Sequence, residues 1–320
     1  MYSFLYDKWN KRFPLFQDSI DKLYEKSTRE IVNEDDIESL SLLFGYLEYY
    51  LASIMKLGYV DKSNVSCVLE QLKGIVLIKI MDSELRKKFN GLTYQNVILV
   101  NPEPEEYPDL DCISSLQLAF YHELGHIITS LHQDELSKLM KKYSLPNSSL
   151  EDLKNGFDLL EEVAVQNVAE SLVYDRLGLS RPDVSSYKSP ILYPEGEVLS
   201  NFSIYREFQE LAFEFSMMLS FLQEDDSSMN GVLDRLSKAM FSKDFVAKIN
   251  KEFSLPEKRD DLLLMLCCMG KIKNAKFSSF GYGNVSKEDF DVSKYFEMIH
   301  TIFEKYSSSE KEEVKEKIQS

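Results

Sequence analysis

The chain has 320 residues, 44% of them hydrophobic and 28% charged, with only 12 Gly and 9 Pro, a composition that excludes disordered, collagen-like and low-complexity proteins. Lys and Arg number 37 against 53 Asp and Glu, and the net charge of -16 repels phosphate backbones and anionic lipid, so direct nucleic-acid binding is excluded as an expectation. The longest apolar run, 262–269, is far below the about 20 residues of a membrane span.

In chain order, residues 1–60 read as helical. Ile37, Leu40, Leu43, Leu47, Tyr50, Leu51 and Ile54 recur with a period near 3.6, and Gly58 closes the run. The texture changes at Gly74. Ile75 to Ile80 and Val97–Val100 are short β-branched runs, read as two strands of a small sheet, with Val97–Val100 at its edge. A helix is expected over 113–132 with Ser114 and Gln117 as a capping box, and another over 150–177, interrupted near Asn155-Gly156 and stopped by Gly178. Residues 180–198 hold three prolines and read as a loop. Helices are expected again over 208–222 and 261–269, before a charged tail after Ser307. The cysteines Cys67, Cys112, Cys267 and Cys268 form no CxxC pair, which predicts neither a zinc knuckle nor a disulfide framework and fits a reducing cytoplasm. No secretion signal is read near Lys8, Lys11 and Arg12, so a cytoplasmic location is expected.

The chemistry concentrates in His122-Glu123-Leu124-Gly125-His126, an HExxH sequence inside an expected helix. Histidines four residues apart project from one helical face, so both imidazoles reach a single Zn2+ ion. Glu123 beside the first histidine then acts as general base towards a water activated by the metal, which is the chemistry of peptide-bond hydrolysis. Ser115, Ala119 and Thr129 share the histidine face, whereas Leu116, Phe120, Leu124 and Ile127 lie opposite and pack.

A catalytic zinc takes three protein ligands and keeps a fourth position for water. His132 has the third-ligand spacing of the metzincins, but Thr129 stands where that class needs glycine. Glu161 and Glu162, on the following helix, offer the gluzincin arrangement. Glu161 falls among Phe157, Ala164, Val165, Val168 and Leu172, a buried stripe where a carboxylate requires a cation, and burial therefore selects it. Glu162 remains the alternative, because Gln166 one turn later is placed to orient a ligating histidine.

At these residues the chain resembles the ImmA/IrrE-type metallopeptidases, whose pattern is a short strand, HELGH on a helix and a following helix rich in Glu and Ala. The matching residues are Val97–Val100 with Asn101, His122 to His126, and Glu161, Ala164, Ala169, Glu170 and Leu172, within roughly 74–177. Val165 and Asn167 depart from the family, which commonly has Asn and Phe there. The resemblance implies an α+β, predominantly helical zincin-like fold, with a small sheet flanking the HExxH helix. It further implies a zinc endopeptidase whose protein substrate is a transcriptional repressor. The expected organisation is an N-terminal helical layer (1–60), a zincin-like core (61–180) and a C-terminal helical region packed on the core (181–320). A catalytically silent zinc-binding regulatory protein is the alternative. Tyr174, Tyr205 and His300 are candidate oxyanion donors, but with 18 tyrosines in the chain an ordinary core or surface role is the stronger reading for each, and none is singled out. Met217-Met218 and Cys267-Cys268 read as core.

Overall fold

The computed structural model describes residues 34–60, 64–72, 75–79, 90–94, 97–101, 110–129, 147–181, 229–242, 245, 248, 264–272, 294–295, 297–299 and 301. Its elements run α1 (Glu34–Lys56), α2 (Val65–Leu72), β1 (Val76–Lys79), β2 (Gly91–Tyr94), β3 (Val97–Val100), α3 (Cys112–Thr129), α4 (Asn147–Leu177) and α5 (Met229–Met240). Residues 264–272 are also helical. The chain is thus α+β and predominantly helical. No helix among the described residues is long and apolar enough to cross a membrane. The expected helix over 208–222, the tail after Ser307, and His132, Tyr205, His300 and Met217-Met218 lie outside the described residues.

Two compact units emerge. The first gathers residues 1–131, 165–181 and 241–243, and the second gathers 132–164, 182–240 and 244–320. In the first unit, the sheet has the order β1-β3-β2. β1 runs parallel to β3 with Val76 opposite Val97, and β2 runs antiparallel to β3 with Gly91 opposite Val100 and Thr93 opposite Ile98. Val97–Val100 is therefore the central strand, which corrects its assignment to an edge. The reason is β2, a Gly-Leu-Thr-Tyr segment too short and too weakly β-forming at its glycine to read as a strand. Only two residues separate β2 from β3, the shortest hairpin connection.

Directly opposed residues share a sheet face. Gly91 and Thr93 therefore lie on the face of Val100 and Ile98, which are buried, and Leu92 points the other way and is exposed. α3 packs on β2 and β3 and also meets α1 and α2. Every residue of α3 from Ser114 to Thr129 is buried except His126, so the helix is a central one, covered on the small-residue face of Ser115, Ala119 and Thr129 as well as on the apolar one. Its cap differs as well. Ser114 donates its backbone N–H to Asp111 Oδ1 at 2.7 Å, making Asp111 the capping residue in place of Ser114 with Gln117. On the α1 side, the rings of Tyr46, Tyr49 and Tyr50 surround Tyr121, at 5.0 Å between centroids for Tyr50. Burial pushes the Tyr50 and Tyr121 phenols up from their ordinary values.

Gly58 and Gly178 end α1 and α4 as expected. Both adopt positive φ, 76° and 68°, and the next residue donates back five positions, Tyr59 to the Ile54 carbonyl and Leu179 to the Tyr174 carbonyl. This closure satisfies helix-end carbonyls and requires a left-handed residue that glycine adopts without strain.

The second unit contains residues 147–164 of α4, α5 and the helix at 264–272. Gly156 does not interrupt α4. A Cβ there would collide with the Leu266 carbonyl, and one at Gly270 would collide with the Asp152 carbonyl, so the pair permits two helix backbones to touch. Phe157 and Phe245 meet edge to face at 5.0 Å, Ser237 donates to the Ala164 carbonyl, and Lys271 pairs with Asp152 at 2.6 Å. Burial pushes the Cys267 and Cys268 thiols up to about 11, consistent with unreactive structural cysteines.

Candidate metal centre

Helical geometry puts His122 and His126 one turn apart on α3. Their rings lie 4.8 Å apart, and their Nε2 atoms are separated by 3.0 Å. His122 is buried and His126 is half-buried, so the pair sits at the margin of the packed interior. The third member comes from α4. One ligand atom from each of His122, His126 and Glu162 falls within 4.8 Å of the others, and this group can hold a metal ion.

Glu161, favoured on burial, lies outside this group. α4 is buried on nearly every side between Leu159 and Tyr174, so an apolar stripe does not single out the side that meets α3. A contact decides it. A Cβ on Gly125 would lie 2.6 Å from Val165 Cγ1, so the glycine of the HELGH sequence lets α3 and α4 approach at Val165. Gln166, the next residue, reaches His122. Glu162 stands three and four residues before this pair and so shares their stripe, whereas Glu161 aligns with Val165 alone. Glu161 and Glu162 are both half-buried, which removes the cost on which the choice of Glu161 rested.

Behind His122, its Nδ1 lies 2.9 Å from Gln166 Oε1, and Gln166 Nε2 donates to Glu170 Oε1 at 2.7 Å. Burial pushes the Glu170 carboxyl up, against the opposing effects of the Gln166 hydrogen bond and the Arg181 charge. Arg181 is itself tied to Asn167 Oδ1 at 2.9 Å.

Glu123 faces the sheet. Thr93 on β2 donates its hydroxyl to Glu123 Oε2 at 2.6 Å. Across the same strand, a Cβ on Gly91 would lie 2.7 Å from Glu123 Cγ and 2.8 Å from Oε1. Gly91 thus provides the space for the Glu123 side chain and Thr93 fixes its orientation. Neither residue belongs to a motif legible in the sequence; Gly and Thr at alternate positions ahead of the strong strand Val97–Val100 are the signal that marks them. Tyr174 is buried in the body of α4. No protein-family model, curated protein or solved structure matches the chain.

Proposed function

We propose that the protein is a zinc-dependent endopeptidase with a zincin-like core, in which His122, His126 and Glu162 hold Zn2+ and Glu123 is the general base. The observation that carries this reading is the convergence of two imidazoles and a carboxylate, together with Glu123, the residue next to His122, whose carboxylate is held by Thr93. Two nitrogens bound tetrahedrally at zinc distances lie about 3.3 Å apart, close to the separation found here. Two nitrogens and one oxygen are the donor set of a catalytic zinc, and they leave a coordination position for water or substrate. A closed structural site instead uses four protein ligands and has no need of Glu123.

Zinc, when bound, polarises the scissile carbonyl and makes a water molecule acidic. The protein's own groups handle the proton. Because the Thr93 hydroxyl occupies Oε2, Glu123 Oε1 is the oxygen that accepts a proton from the attacking water. Glu123 then passes it to the amide nitrogen as the C–N bond breaks. Gly91 keeps the path at Oε1 clear of side-chain atoms.

The proposed substrate is a narrow protein target in the cytoplasm. The resemblance to ImmA/IrrE-type metallopeptidases points to a transcriptional repressor, and the chain's net charge of -16 favours a target with a basic surface. Metal analysis and cleavage by wild type and Glu123→Gln test the enzyme reading. Zinc in both proteins with cleavage by the wild type alone is the expected result. Retained zinc without cleavage of any candidate in a proteome comparison would instead favour a silent metal-binding regulatory role. Broad degradation of unrelated proteins would overturn the narrow-substrate reading.

A further inference from the structure

We propose that Glu170 is a positioning residue which, acting through Gln166, fixes the tautomer of His122 and so directs the Nε2 lone pair of that ring towards the metal. The inference rests on the metal-binding part of the function proposed above and names the group that regulates the affinity of the site.

An amide has one donor end and one acceptor end, and Gln166 lies between two partners that take one each. The Glu170 carboxylate only accepts, so the Gln166 NH2 must face it, at 2.7 Å. The amide oxygen is then turned towards His122, 2.9 Å from Nδ1. A carbonyl oxygen cannot donate, so Nδ1 must carry the ring hydrogen. In a neutral imidazole this leaves the lone pair on Nε2, the atom that lies 3.0 Å from Nε2 of His126. With Glu170 replaced by an amide, either end of Gln166 can face His122, and both tautomers become accessible. This order of donors requires ionised Glu170; burial, the largest influence, pushes the carboxyl towards its neutral form, and the Gln166 hydrogen bond and the Arg181 charge oppose that push.

Outer hydrogen bonds of this kind typically change metal affinity by about 10–100-fold. The experiment combines two measurements. Long-range proton–nitrogen NMR correlations on metal-free protein assign the His122 tautomer, and competition with a chromogenic chelator gives zinc affinity. Wild type is expected as the single Nδ1–H tautomer, with Glu170→Gln a mixture and about tenfold weaker in zinc. The decisive variant is the double exchange Gln166→Glu with Glu170→Gln. It places a carboxylate against His122 and an amide behind it, so the order of donors and acceptors is restored, and both the tautomer and the affinity should recover.

A single Nδ1–H tautomer with unchanged affinity in Glu170→Gln would overturn the proposal, as would a double exchange that folds yet leaves the tautomers mixed. Should Glu170→Gln fail to fold, the double exchange compared with Gln166→Ala gives the same test. If wild type takes up no zinc, the metal reading fails on its own, and the tautomer of the metal-free protein still decides the role of Glu170.

Discussion

Replacing Gly125 by Ala adds one methyl group at the point where α3 and α4 approach. The new Cβ would lie 2.6 Å from Val165 Cγ1, 2.7 Å from Val165 Cβ and 3.4 Å from its Cα. Carbon atoms rest about 3.5–4.0 Å apart, so the overlap with Cβ is about 1 Å. Rotation about χ1 moves Cγ1 away but leaves Cβ in place, and the helices themselves must separate. Overpacking of this size costs about 1–3 kcal/mol. The better helix propensity of Ala returns about 1 kcal/mol, so the expected net loss is at most about 2 kcal/mol. A loss of that size lowers the melting temperature by about 2–4 °C for each kcal/mol. The same displacement stretches the 2.9 Å contact between His122 Nδ1 and Gln166 Oε1 beyond hydrogen-bonding range, and zinc affinity falls with it. Thermal melts and chelator competition measure the two effects. Adding Val165→Gly to Gly125→Ala removes the offending Cβ and should recover affinity, although not the full stability, since glycine inside a helix costs about 1 kcal/mol. A Gly125→Ala protein that melts at or above wild type with full zinc affinity would refute this account of the helix contact.

Glu162→Gln should weaken zinc binding by more than the about 10–100-fold typical of outer-shell changes, and Glu161→Gln should leave it intact; chelator competition on both decides the register of α4. Thr93→Val, nearly isosteric but without a donor, should lower kcat on a cleavable substrate with zinc affinity unchanged, and Thr93→Ser should restore turnover; a kcat equal to wild type in Thr93→Val would show that the hydroxyl does not orient Glu123. Hydrogen bonds from the Ser114 hydroxyl and backbone N–H hold the Asp111 carboxyl below its usual range. A carboxyl depressed on folding stabilises above its unfolded pKa of about 3.9 and loses that contribution as pH falls through the folded value. The urea midpoint of Asp111→Ala should therefore trail wild type most at neutral pH, and the gap should close in acid. Gly156→Ala should destabilise by about 3 kcal/mol or more in urea unfolding, because the obstructing atom belongs to the Leu266 backbone and cannot rotate away.

Much of this molecule follows from interactions between residues close in sequence. The period of α1, the ends of α1 and α4 at Gly58 and Gly178, and the shared face of His122 and His126 depend on backbone sterics and hydrogen bonds spanning about five residues. The sequence was therefore enough to place two imidazoles side by side, and also to mark Gln166 as the partner of a histidine should Glu162 be the ligand. Local rules failed where neighbours distant in sequence decide. β2 is a weak strand that exists because β3 offers it a partner, and its arrival turned Val97–Val100 from an edge into the centre of the sheet. Asp111 displaced Ser114 as the cap once the chain entered α3 one turn earlier than the capping pattern suggested. The choice between Glu161 and Glu162 was the least accessible from sequence. Hydrophobic periodicity identifies a buried side only when a helix has an exposed one, and α4 is covered almost all round. Gly125 and Val165, 40 residues apart in the chain, mark where α3 meets α4, and Glu162 is the acid that groups with the two histidines, a pairing that no local pattern encodes.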